Sequence, residues 1–372
     1  MSTNDSKSSP LDPTRHELDR RRFLADGMRI GIGAGGILAG LGLSRYAIAQ
    51  TPTSSRSTRP PTPTEPIVSQ PPPLKNLQGK VAYITASSDG IGLGIARAAS
   101  RAGMKVVVGY RNEERLKAAL PLFEPNNAGV LPIRHDVTER DGWKNLLDQV
   151  KSKYGKLHLV VNNAGIKTLR PVSQATFDEW DNAVAVNLTA IFNSVAVCLP
   201  HMMDHGEGGH FVTTASMSGL LPGVTAGVYT ATKIAAVGIM EALRVELEST
   251  NIGTSVFCPG VVNTDNYLGS GEDNPFHKGQ PTSRFGMAGM DPLEAGERVL
   301  NGVVNNDLFI LSHPEFKPGM QERFDAILAS EPSVETPISQ ERLDIEKRVL
   351  RCGIYEREFK HRKTKRASYR SA

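Results

Sequence analysis

Cysteine is scarce, with three in 372 residues. Cys198, Cys258 and Cys352 are unclustered and form no CxxC pair, so they suggest neither a disulfide scaffold nor structural zinc. Excess charge is also lacking. A formal net charge of +4 is too small to argue by itself for a nucleic-acid partner, and none is expected. The uncharged apolar run Ile30–Leu43 has 14 residues, too few to span a bilayer as a helix. What remains is an ordinary globular balance, 39% hydrophobic and 22% charged, on a chain long enough for one large core or two modest ones. Glycine and proline are unevenly spread. Ten of the 24 prolines precede residue 75, and seven of the 35 glycines lie between Gly27 and Gly42.

That uneven start has the parts of an export signal. Asp19-Arg-Arg-Arg-Phe-Leu24 supplies a basic segment, Ile30–Leu43 an apolar one, and Ala47-Ile-Ala49 a small-x-small site. Paired arginines before Phe-Leu resemble the twin-arginine signal, which directs folded proteins across the bacterial inner membrane. Residues 1–49 are therefore expected to address the chain to the periplasm through the twin-arginine machinery, or to anchor it if uncleaved. Residues 50–76 read as a disordered linker, because Gln50–Leu74 holds eight prolines with Ser and Thr between them. Gly31-Ile-Gly33-Ala-Gly-Gly36 spells a dinucleotide fingerprint, but no strand precedes it and it lies inside the signal.

From Lys80 the pattern changes. Short apolar runs at Lys80–Thr85, Met104–Gly109, Gly129–His135, Leu157–Asn162, His210–Ala215, Thr254–Cys258 and Leu308–Leu311 alternate with helical segments. β-branched runs of this kind form strands buried on both faces. The expected fold is α/β: a single doubly wound, Rossmann-type domain with a parallel sheet over 77–335. A helical, basic extension occupies 336–372.

Thr85-Ala-Ser-Ser-Asp-Gly90-Ile-Gly92 joins the first strand to the first helix. Small residues let backbone amides at a helix start approach a pyrophosphate. With Asn162-Asn163-Ala164-Gly165, Tyr229-Thr-Ala-Thr-Lys233 and Pro259-Gly260, the turn resembles the short-chain dehydrogenase/reductase family. The resemblance covers about Leu77 to Leu328, with the motifs in family order. It implies cofactor contacts from Ala86, Ser87, Ser88, Asp89, Gly90, Ile91, Gly92, Asn163, Ala164, Gly165, Pro259, Gly260, Val262 and Thr264, and an adenine-side pair Asp136 and Val137. Ala86 departs from the family's usual glycine, for which slight crowding and retained binding are expected. After the second strand stands Tyr110-Arg111 rather than the acidic residue that would favour NAD. Arg111 could pair with a 2′-phosphate or be a solvated helix-start residue. Asp89 counts against a phosphate. The local charge favours NADP over NAD.

Tyr229 and Lys233 are four apart on a helical segment and share a face. Hydride transfer at carbon requires proton movement on the adjoining oxygen. A phenol is a poor base at neutral pH unless a nearby ammonium stabilises its phenolate. The resemblance makes Tyr229 the acid/base, Lys233 its tuner and a cofactor-ribose contact, Ser216 the anchor for the substrate oxygen, and Asn187 the holder of a relay water. Ser218 is the near alternative to Ser216. Residues 265–290 suit a mobile lid whose Tyr267, Phe276, Phe285 and Met287 could line an apolar pocket or pack on the body. His201 and His205 are a possible metal pair lacking an evident third ligand, and no metal is expected. Residues 351–372 carry a net charge of +6 and read as a solvated, frayed tail or a weak membrane contact.

The expected activity is interconversion of a secondary alcohol and a ketone, as an NADP-dependent alcohol dehydrogenase or carbonyl reductase. The segment from Leu308 to Phe316 also looks like relatives that oxidise benzylic alcohols of lignin-type aryl ethers. The resemblance further suggests a homo-oligomer, a dimer or tetramer, paired through the helices carrying Asn187 and Tyr229. Epimerases and dehydratases share Tyr-x-x-x-Lys, and a non-catalytic dinucleotide-binding protein is a further alternative.

Overall fold

The β-branched runs become the strands of one sheet. In the computed structural model, which describes residues 70–123, 129–223, 225–264, 289–332, 338–349, 353–364 and 366–370, these are β1 (Val81–Ile84), β2 (Lys105–Tyr110), β3 (Val130–Arg134), β4 (Leu159–Asn162), β5 (Gly209–Thr214), β6 (Ile252–Cys258) and β7 (Phe309–Leu311). All neighbours run parallel, in the order β3-β2-β1-β4-β5-β6-β7. The order reverses between β1 and β4. A crevice opens there at the carboxyl ends of the strands, where open α/β sheets hold ligands. The doubly wound fold is as expected.

Strand periodicity sorts the two layers. Val81 and Tyr83 face a core with Trp143, Val160, Met202 and Met240, whereas Ala82 and Ile84 face Ile95, Val108 and Val299. Helices α3 (Arg140–Tyr154), α5 (Ala190–His205) and α6 (Gly227–Leu247) cover the first face. On the other lie α1 (Gly90–Arg101), α2 (Glu113–Ala119) and α7 (Pro292–Asn305). Helices α1 and α7 meet backbone to backbone: a Cβ on Gly94 would stand 1.8 Å from the Pro292 carbonyl oxygen, and one on Gly296 2.4 Å from that of Gly94. Helix α4 (Phe177–Val184) starts with a capping box between Thr176 and Glu179 and runs through a π-type turn, Ala185–Thr189, into α5.

Two boundaries differ from expectation. The linker was expected to reach residue 76, yet the chain is packed from Gln70. Its Nε2 donates to the carbonyls of Leu247, Thr250 and Ile252 at 2.8–3.2 Å, and Asn306 donates to its Oε1 at 2.9 Å. Leu74 and Leu77 are buried in the core. At the other end, beyond α8 (Lys317–Ala329) and α9 (Gln340–Val349), residues 353–364 and 366–370 are docked on the body rather than frayed. Ile354, opening α10 (Ile354–His361), and Tyr369 are buried anchors. Asp307 has a side chain 3% exposed and pairs with Arg362, Arg366 and His361. Arg357 pairs with Glu248 and Arg370 with Glu297. The basic tail thus neutralises acids of the body, which its own composition could not reveal.

Candidate active site

The first turn is built around two left-handed residues. Ala86 has φ +49° and Gly90 φ +51°. Ala86 is exposed, so its methyl meets no crowding from the body; the penalty of having alanine there is one of backbone conformation. Beneath it, the Thr85 hydroxyl accepts from the amides of Asn163 (2.8 Å) and Ala164 (2.7 Å). The Asn163 amide donates to the carbonyls of Thr85 and Ala86, while its Oδ1 accepts from Thr214. A Cβ on Gly92 would lie 2.3 Å from the Ala86 oxygen. Only glycine allows this close approach, and it locks turn and helix together.

This arrangement fits a dinucleotide. A cleft of about 550 Å³ is lined by Ala86, Ser88, Tyr110, Arg111, Val137 and Gly165. A second lobe is lined by Gly90, Asn263 and Thr264. Asp89 stands at the N-cap of α1, but its side chain bonds none of the helix amides and its carboxylate pairs with Arg115 instead. Those amides stay available to an anion. Burial acts to raise the Asp136 carboxyl, but the Thr138 amide and hydroxyl and the Arg111 guanidinium outweigh it and hold it below the usual range. Ala164 borders the first lobe. Pro259 accepts from the Met217 amide at 2.9 Å, and the Gly260 amide donates to His313 Nδ1 at 2.9 Å. Ser87 and Ile91 support from below: the Ser87 hydroxyl bonds Ile84 and Ile91 packs on the core. Val262 is fully buried and packs its side chain in the core.

Helix α6 carries Tyr229 and Lys233 one turn apart, with the Lys233 ammonium 5.5 Å from the Tyr229 ring centre. Lys233 is 4% exposed, and its Nζ donates to the Thr214 carbonyl at 2.8 Å. Burial pushes its ammonium down to about 8, so it still holds its proton at neutral pH. Ser216 caps the turn Met217–Gly219 by accepting from the Ser218 amide at 3.1 Å. In that contact Ser218 offers its backbone.

Asn187 occupies the π-type turn. Its Oδ1 accepts from the Ile166 amide (2.8 Å), and its Nδ2 donates to the Ile166 carbonyl and to Thr232 (both 3.0 Å). The side chain is thus spent on fixing the loop after β4 to α6. A Cβ on Gly165 would fall 3.3 Å from Lys233 Nζ and 3.4 Å from Asn187 Oδ1. Asn163, Gly165, Asn187 and Lys233 therefore meet at one point.

Sequence reasoning missed Thr85, Thr214, Thr232, Arg115 and His313, whose roles arise from distant partners. The Cys258 thiol, pushed up to about 12 by burial, is neutral. His201 and His205 turn their ring nitrogens to the backbone of Leu157. Among the described residues, no group of three or more His, Cys, Asp or Glu could hold a metal ion. The expected lid residues Tyr267, Phe276, Phe285 and Met287 lie outside the described residues, as does the twin-arginine segment.

The sheet, the Gly-rich turn and the Tyr-Lys pair together define a Rossmann-type oxidoreductase. More particularly, residues 80–274 match the short chain dehydrogenase family, and the chain belongs to it. A curated relative is the C alpha-dehydrogenase of Sphingobium sp. strain SYK-6, 29% identical over 71% of this chain and 90% of the relative. Among solved structures, LigO from the same strain is 33% identical with TM-score 0.63, covering 75% of this chain and 98% of that one. A short chain dehydrogenase/reductase from Burkholderia phymatum, in complex with NAD, is 26% identical with TM-score 0.63 over 71% of this chain and 99% of that one.

Proposed function

We propose that the protein interconverts a secondary alcohol and a ketone, with NADP as the preferred dinucleotide. The observation that carries this reading is the buried Lys233 ammonium beside the Tyr229 ring, with Ser216 at the head of the adjoining turn. The nicotinamide, when bound, takes up or supplies the hydride. Ser216 orients the substrate oxygen. Tyr229 takes the hydroxyl proton as the carbinol carbon is oxidised and returns it in reduction, with Lys233 stabilising the phenolate between. Arg111 at the cleft edge, standing after β2 where an acidic residue would favour NAD, supports NADP.

A bulky, apolar or aromatic alcohol is the proposed substrate class. Leu221, Phe316 and Met320 provide partly buried apolar surface near the Ser216 turn, with Phe316 against Gly260. The relative's name, C alpha-dehydrogenase, supports dehydrogenation at a carbon centre. Exposed Phe177 and Phe192 support self-association as a dimer or tetramer through the α4–α5 face. We also read residues 1–49 as a twin-arginine signal that carries the folded domain to the periplasm with its dinucleotide bound; fractionation placing the chain solely in the cytoplasm refutes export.

An aryl and alkyl carbinol panel, read by NADPH absorbance, tests the activity. Tyr229→Phe should lose at least about 100-fold in turnover while binding NADPH as before. Turnover with no net change in cofactor redox state identifies an epimerase or dehydratase instead. An undiminished Tyr229→Phe refutes the acid/base role.

A further inference from the structure

Asp89 is awkward for a domain that takes NADP, because a carboxylate in the phosphate-binding turn repels a further phosphate. The structure gives that carboxylate a partner. The Asp89 side chain makes no bond to the α1 amides and pairs with Arg115, while Arg111 pairs with Asp136 at 3.3 Å. Arg111 and Arg115 both line the first lobe, and Arg115 borders the second as well. Arg111 precedes α2 and Arg115 lies in its first turn, and Asn112 between them caps the helix by accepting from the Arg115 amide at 3.0 Å. Of the other acids in that turn, Glu113 is bonded by the Tyr110 hydroxyl.

Building on the NADP reading, we propose that Arg115 acts with Arg111 as a clamp for the 2′-phosphate, with Asp89 and Asp136 as the counter-ions that hold both guanidiniums at the cleft. Both pairs are solvent-accessible, with arginine side chains 49% and 66% exposed. Such pairs are weak and readily exchanged. A phosphate dianion offers a guanidinium a stronger, two-pronged partner than one carboxylate. Asp136 is further fixed by the Thr138 amide and hydroxyl, at 2.9 and 2.7 Å, and stays in place when Arg111 leaves it. Dinucleotide choice is then an exchange of ion pairs in which Asp89 competes with the ligand for Arg115.

The test is binding by the full chain, with NADPH and NADH titrated by fluorescence beside a thermal melt without dinucleotide. Arg115→Gln should weaken NADPH by about 10- to 100-fold and NADH by less than about twofold. Asp89→Asn should raise the preference for NADPH over NADH several-fold. The melts of both variants should stay near that of the wild type, the pair being exposed. Wild type favouring NADPH, with that preference intact in Arg115→Gln, overturns the clamp alone. Equal weakening of both dinucleotides likewise overturns it, as the mark of a merely structural pair. Wild type favouring NADH overturns the NADP reading and the clamp with it.

Discussion

Ala86 offers a sharp measurement. It holds φ +49° in a turn where every atom of its side chain is a single exposed methyl. A Cβ-bearing residue in the left-handed region costs roughly 1–2 kcal/mol. Glycine removes that cost but gives the unfolded chain more freedom, worth about 0.4–1 kcal/mol the other way. Ala86→Gly should therefore stabilise the domain by roughly 0.5–1 kcal/mol, since no buried contact is lost. For a domain of this size the melting temperature rises by about 1–3 °C. Ala86→Val, a branched residue at the same φ, should lower it. The assay is reversible urea or thermal unfolding without dinucleotide, followed by NADPH titration. Binding within about twofold of wild type is expected, because the change relieves the backbone rather than the ligand's space. A fall in stability for Ala86→Gly, or a neutral Ala86→Val, refutes the strain argument. Much tighter NADPH binding by Ala86→Gly would show that the methyl crowds the cofactor after all.

Removing residues 353–372 should lower the unfolding midpoint sharply. It takes away the cations around buried Asp307, and breaking a buried ion pair from one side costs roughly 3–5 kcal/mol; a truncated chain of wild-type stability refutes the docked-tail account. Acid should act through His135, which burial pushes down to about 4 and whose Nδ1 is 2.5 Å from the Tyr83 hydroxyl. Its folded value lies below its unfolded one near 6.5, so its contribution is whole above that pH and is lost as pH falls toward 4, on the order of 3 kcal/mol. His135→Gln should flatten the pH dependence of the urea midpoint over that window, and an unchanged slope counts against it.

The parts of this molecule that were legible early are those whose physics is local. Period and β-branching marked all seven strands to within a residue or two, because a strand buried on both faces must be apolar along its length. The spacing of Tyr229 and Lys233 encodes a shared face. Gln70, Arg115, His313 and the tail were obscure because each draws its meaning from a partner far along the chain. Gln70 among prolines looks like tether until the carbonyls of Leu247, Thr250 and Ile252 are beside it. The tail reads as solvated because lone Asp307 gives no sign in sequence that it will be buried. Ala86 was noticed as an exception to a pattern, but its consequence depends on a dihedral angle.

The π-type turn at Ala185–Thr189 sets a limit on how this helix can change. Such a turn amounts to one extra residue threaded into an otherwise regular spiral. Rewinding it as plain α-helix with every residue kept would rotate everything after it by about 100° and push it on by about 1.5 Å. Ile191, Ser194, Cys198 and Met202, now facing the sheet, would swing toward water, while exposed Phe192 would turn elsewhere. The irregularity cannot be ironed out from one side. It could be lost only by removing the extra residue itself, so at constant length the bend that presents Asn187 is guarded by the packing of residues several turns away.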